Sequence, residues 1–192
     1  MAIEIIRPER DFRERFSNID GGIHSGMMPS GSVISVYFVN LEQQYSANLT
    51  GRYDLLTYQL KPKSKNSRFL IQYTICASYD HGSNHINTHI VRRVGGVETI
   101  INSGKDSTGS TNYTTNANKI LYDDGGSDNN FHTMAGMAHD IPGSHDDLIE
   151  YKVQVSGNGT NARLTSVNRR STDATYSAAS EMVIFEIAGN RV

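Results

Sequence analysis

Short runs in which apolar and polar residues alternate, each closed by a cluster of Gly, Asn, Ser or Pro, recur along this chain from Ser32 onward. Successive side chains of a strand point to opposite faces, so this two-residue period fits half-buried strands and is out of phase with a helix. The pattern covers Val33 to Val39, Tyr53 to Leu60, Arg68 to Ser78, His85 to Val94, Val97 to Asn102, Phe131 to His139, Ile149 to Val155, Ala162 to Val167 and Glu181 to Ala188, with Lys119 to Tyr122 as a weaker candidate. Strands this short and this frequent predict an all-β fold of about nine or ten strands. The expected architecture is a single antiparallel β-sandwich, jelly-roll-like, over residues 32–192.

Individual runs add detail. Phe69, Ile71, Tyr73, Ile75 and Ala77 alternate with Leu70, Gln72, Thr74, Cys76 and Ser78. Leu70 and Cys76 make the second face partly apolar, which predicts a central strand covered on one side and partly on the other. Lys61 to Ser67 is polar and carries Pro62, so it reads as the turn that launches this strand. Ile149, Tyr151, Val153 and Val155 alternate with Glu150, Lys152 and Gln154, the pattern of a strand with one wet face. Gly95-Gly96 predicts a two-residue hairpin turn. Gly157-Asn158-Gly159 predicts a second hairpin, joining that strand to Ala162 to Val167. Gln43 to Gly51, Ser103 to Ala117 and Asp123 to Asn130 read as polar loops.

Residues 1–31 form a separate unit, an extended or short-helical N-terminal arm and its linker. Pro8 is suited to open a helix, which would put Phe12 and Phe16 on one face and most of the charges between Arg7 and Arg15 elsewhere. One or two turns of helix are not stable alone in water, so the arm must dock, either on its own domain or on another molecule. Ile5, Ile6, Arg7, Phe12 and Phe16 are its candidate anchoring residues. Asn18 to Gly31 is rich in glycine and reads as a hinge.

Composition limits the function classes. The 18 basic and 20 acidic residues nearly cancel to −2, leaving no field to attract nucleic acid. No apolar run reaches the roughly 18–20 residues of a membrane-spanning helix, and no secretory leader is recognisable, so synthesis in a cytoplasm without membrane insertion is expected. A single cysteine, Cys76, excludes an internal disulfide.

Candidate chemistry is thin. His81, His85 and His89 recur every four residues, but on a strand His85 and His89 would stand about 13 Å apart, too far to share one ion. His132, His139 and His145 with Asp140, Asp146 and Asp147 superficially suggest a metal centre, and turn chemistry around Pro142-Gly143 accounts for them as well. Asp123, Asp124 and Asp128 lack the spacing of a calcium loop. Cys76 lies in an apolar strand, where a thiol is inert. Neither a nucleophile elbow nor a phosphate loop is found. No enzymatic activity, metal or cofactor is expected. Tyr45, Tyr113, Asn116 and Tyr176 lie in polar contexts of the kind that read sugars or proteins, and they are the candidate receptor-contact residues.

Three blocks, MPSGSVISVYFV (Met28 to Val39), YQLKPKSKNSRFLIQYTICAS (Tyr58 to Ser78) and SEMVIFEIAG (Ser180 to Gly189), resemble in order and spacing the tail-fibre-type β-sandwich proteins of bacteriophage virions, of the kind carried by marine and cyanobacterial phages. Pro29-Ser30-Gly31-Ser32 matches that family's lead-in to its first strand. Pro62-Lys63-Ser64 with Ser67-Arg68-Phe69-Leu70-Ile71 matches its second block, Phe131-His132-Thr133-Met134 its His-Thr element, and Phe185-Glu186-Ile187 its last strand. The charged arm from Met1 to Phe16 stands where the family carries a long fibrous shaft. The resemblance implies a non-enzymatic virion structural protein, a homotrimer at the particle surface. In this reading the arm holds it to other virion proteins and its loops are free to contact a host receptor or glycan. A capsid-decorating (cement) protein fits the same residues, and a carbohydrate-binding module is the reading outside the virion.

Overall fold

A computed structural model of the chain describes residues 29–48, 51–64, 66–79, 86–101, 132–143, 146–156, 164–169 and 177–189. The arm, the Lys119 to Tyr122 candidate and the loops Ser103 to Ala117 and Asp123 to Asn130 lie outside the described residues. Within them the alternating runs form β1 (Val33–Leu41), β2 (Tyr45–Asn48), β3 (Arg52–Leu60), β4 (Arg68–Tyr79), β5 (Asn87–Val94), β6 (Val97–Ile100), β7 (His132–Asp140), β8 (Ile149–Ser156), β9 (Leu164–Val167) and β10 (Ser180–Ile187). Gly95 and Gly96 both take positive φ, as the tight β5–β6 hairpin requires.

Every pairing among these strands is antiparallel, and they divide into two sheets. In the first, β7 takes one edge of β4 from Phe69 to Ala77. The opposite edge is shared by β10, over Arg68 to Thr74, and by β9, over Ala77 to Tyr79. β1 lies outside β10, and β2 outside β9. Thus β1–β2 and β9–β10 are each one broken strand. The second sheet runs β3-β8-β5-β6. With the broken strands counted once, the pairs nest: first with last, β3 with β8, β4 with β7, β5 with β6. One long hairpin has folded over on itself, which is the jelly-roll topology.

Phe69, Ile71, Tyr73, Ile75 and Ala77 of β4 are all buried between the sheets, as their period predicts, against Ile90 of β5 and Ile149, Tyr151, Val153 and Val155 of β8. Each large side chain so buried contributes about 1.5–3 kcal/mol. Polar bonds cross the same interior. Tyr73 pairs with Thr88, and Asp140 of β7 accepts from Arg92 at 2.8 Å and from the Tyr151 hydroxyl at 2.7 Å. The Tyr151 ring also lies 5.3 Å from that of Phe69.

Three expectations are corrected. The face of β8 expected to be wet is buried, with Lys152 and Gln154 each 5% exposed. β8 is central in its sheet, and charged side chains converge on it: Lys152 Nζ lies 2.7 Å from Asp54, 3.0 Å from Glu98 and 3.3 Å from Glu150, and Gln154 donates to Asp54 at 2.6 Å. A lysine can be buried there because three carboxylates hold its charge. Second, β9 does not form the expected hairpin with β8; it pairs with β2 and β4 in the other sheet. Third, Gln43 to Gly51 contains β2, a polar strand held by its backbone ladder and by a 2.7 Å hydroxyl pair between Ser46 and Ser166.

Asn168 holds both strand breaks together. It is fully buried, and its φ of 58° is a conformation asparagine tolerates better than most residues. Its side-chain amide donates to the Leu41 and Gln43 carbonyls at 2.6 and 3.1 Å, and its Oδ1 accepts from the Ser180 hydroxyl at 2.6 Å. Its backbone N–H donates to Cys76 O at 2.8 Å.

At the opposite end of the sandwich the three blocks that carry the phage resemblance meet. Gly31 N–H donates to Ala188 O and Ala188 N–H to Ser32 O, both at 2.8 Å. The fully buried Glu186 accepts from Lys63 N–H and the Ser67 hydroxyl, both at 2.6 Å, and from the Tyr37 hydroxyl at 2.9 Å. Gly189 passes so close to the next loop that a Cβ on it would sit 1.7 Å from Asn66 O. These motifs close the fold; they are not an exposed site.

Candidate functional site

The residues considered for metal chemistry that are described do not converge on one site. His81, His85, His145, Asp123, Asp124 and Asp128 lie outside the described residues. His139 and Asp140 are adjacent on β7 and so face opposite ways: His139 is exposed, while Asp140 is buried between the sheets on Arg92 and Tyr151. They cannot belong to one ligand set. Asp146 and Asp147 are exposed. Among the described residues no group of three or more His, Cys, Asp or Glu has the geometry to hold a metal ion. Cys76 is buried in β4 with its Sγ 3.7 Å from the Thr133 hydroxyl.

His89 is buried on β5, its Nε2 2.9 Å from the Ser156 hydroxyl. Burial, reinforced by the nearby Arg52 charge, pushes its pKa down to about 4. The unfolded chain therefore takes up the proton first, and stability is lost as pH falls from about 6.5 towards 4. A shift of that size corresponds to ~3 kcal/mol. Urea unfolding at neutral pH and near pH 4 is expected to show a smaller acid loss in His89→Gln than in the wild type; an equal loss in both would place the sensitivity elsewhere.

Two surface features remain. The first is the outer face of the β1-β10-β4-β7 sheet, where register puts apolar side chains side by side. One row is Val36, Phe185, Leu70 and His139, and the next is Phe38, Val183, Gln72 and Met137. Phe38 is 68% exposed, Met137 54% and Val36 40%. Sequence reading singled out none of Val36, Phe38 and Met137, although Val183 and Phe185 on the second face of β10, with Leu70 on that of β4, were a visible signal.

The second is a cleft of about 190 Å³ at the end of the sandwich away from Glu186, where Tyr45 meets Tyr53 and Asp54. Tyr45 lies opposite Val167 and Tyr53 opposite Val155, so one ring enters from the inner face of each sheet. Between Asp54 and Leu56 the β3–β8 register shifts, leaving Leu55 as an extra residue in a bulge at the cleft wall. Burial works to raise the Asp54 pKa, but hydrogen bonds from Lys152 and Gln154 outweigh it and hold the carboxyl below its usual range. Tyr45 is thus the one candidate contact residue within the described part, and it lies at a concave site. Tyr113, Asn116 and Tyr176, like Ile5, Ile6, Arg7, Phe12 and Phe16, lie outside the described residues. Tyr53 and Asp54 were missed because they read as ordinary strand residues.

No family model matches the sequence, and no curated protein matches it. Among solved structures the chain is similar to the Eiger TNF of S. frugiperda, with a TM-score of 0.45 and 9% identity over 82% of this chain and 96% of that one. It is also similar to the VP2 protein of infectious bursal disease virus in T=1 particles, with a TM-score of 0.41 and 11% identity over 90% of this chain and 40% of the viral chain. A third similar structure is the C-terminal domain of EclA, a sugar-binding protein, with a TM-score of 0.30 and 12% identity over 94% of this chain and 99% of that domain. At these TM-scores none of the three bears on function.

Proposed function

We propose that this chain is a non-enzymatic structural protein of a bacteriophage virion, displayed at the particle surface as a homotrimer and held there by the residues that precede the sandwich. The observation that carries this reading is the apolar outer face of the β1-β10-β4-β7 sheet, with Phe38, Met137 and Val36 exposed in two adjacent cross-strand rows. An isolated domain gains nothing from presenting that face to water, whereas repeated copies can cover it for one another. The sequence resemblance supports the virion setting, and the convergence of its three blocks on Glu186 and Ala188 gives those motifs a shared physical role.

Gold labelling of a tag fused after Val192, on particles assembled from the genome that encodes this chain, tests the assignment. Label is expected on intact purified particles, at the tail for a fibre or knob and over the head for a decoration protein. Particles that carry no label while the tagged chain is abundant in the lysate would refute it.

A further inference from the structure

We propose that the cleft between the β1–β2 corner and the β3 bulge binds one sugar ring of a glycan, an inference that rests on the displayed-protein reading and assigns it a contact site. Gln43, Gln44, Tyr45, Tyr53, Asp54 and Leu55 are among the residues that line it. Tyrosine rings, 39% and 36% exposed, offer flat apolar faces to the C–H side of a pyranose, and each keeps a hydroxyl that hydrogen-bonds. The glutamine amides and the tyrosine hydroxyls supply donors and acceptors for the sugar's hydroxyls. At about 190 Å³ the cleft is smaller than the roughly 300–1,000 Å³ of drug-sized sites, which limits it to one ring of a longer chain.

Both walls are fixed from behind by buried groups. Asn168, fully buried, holds the Leu41 and Gln43 carbonyls and so sets the corner that carries Tyr45. Lys152 and Gln154, each 5% exposed, occupy both oxygens of Asp54 at 2.7 and 2.6 Å. Asp54 stands opposite Gln154 on the outer face of its sheet, so this pairing pins the β3 bulge beside Tyr53 and leaves the tyrosine rings and glutamine amides as the sugar's contacts. A site whose polar groups are already oriented loses little freedom on binding, which suits a weak, repeated contact multiplied across a trimer.

The full-length chain is applied to a printed array of bacterial surface glycans, with Tyr45→Ser, Tyr53→Ser and Tyr45→Phe alongside and the fold of each checked by circular dichroism. Retention of one or more glycans is expected, weakened about tenfold in each serine variant and kept in Tyr45→Phe, which preserves the ring. No retained glycan, or retention unchanged in folded serine variants, overturns the inference. The two readings fail separately. Absence of glycan binding by a chain that still labels particles removes only the cleft assignment, and glycan binding by a chain absent from particles removes only the virion setting.

Discussion

Glu186→Ala is expected to lower the stability of the chain by about 3–5 kcal/mol, because three donors lose their acceptor at about 1–3 kcal/mol for each that stays buried and unsatisfied. The carboxylate is fully buried and accepts from three donors on two other segments: Tyr37 on β1, and Lys63 and Ser67 in the β3–β4 turn. Alanine leaves all three without their acceptor and opens a cavity beside Phe69, which lies directly opposite Glu186 in the β10–β4 register. Glu186→Gln keeps the volume and one acceptor oxygen for Lys63 N–H and Ser67, and the Tyr37 hydroxyl can turn to accept from the new amide. Its cost is expected to be smaller, about 1–2 kcal/mol. Urea unfolding followed by far-ultraviolet circular dichroism reads both midpoints. An alanine variant as stable as the wild type would show that Glu186 does not close this end of the sandwich.

Glu186 also shows what a sequence can and cannot reveal. The period of β10 places it on the face of Met182 and Ile184, so its inward direction was legible. Its partners were not, because they lie more than a hundred residues away in sequence and only the folded hairpin brings them near. The same division holds elsewhere. Alternation located β1, β3, β4, β5, β7, β8 and β10 to within a few residues, since each has at least one face pressed on the core. It failed for β2, whose pairing rests on backbone bonds between polar residues. For β8 it placed the strand but misread one face, because a buried lysine with three carboxylates looks in sequence like a solvated one. Asn168 carried no signal, since a single asparagine after a strand reads as an ordinary turn. Of the candidate contact residues, only Tyr45 can be placed, and its neighbours Tyr53 and Asp54 became visible only through the bulge in β3.

The proposed function depends on what covers the outer face of the first sheet. Phe38, at 68% exposure, stands nearest the outer edge of the apolar rows, and a carboxylate there would be buried unpaired in any contact that uses the face. Aromatic anchors buried in an interface typically cost 2 kcal/mol or more when lost, and a trimer loses one per subunit, so Phe38→Glu is expected to abolish assembly at micromolar concentration. The monomer fold should survive, since the side chain points away from the core. The most direct test is the molar mass of the purified full-length chain by light scattering at micromolar concentration, wild type beside Phe38→Glu. Three times the 21.2 kDa chain mass for the wild type and one chain mass for the variant is the predicted result; a wild type that is a stable monomer would contradict it.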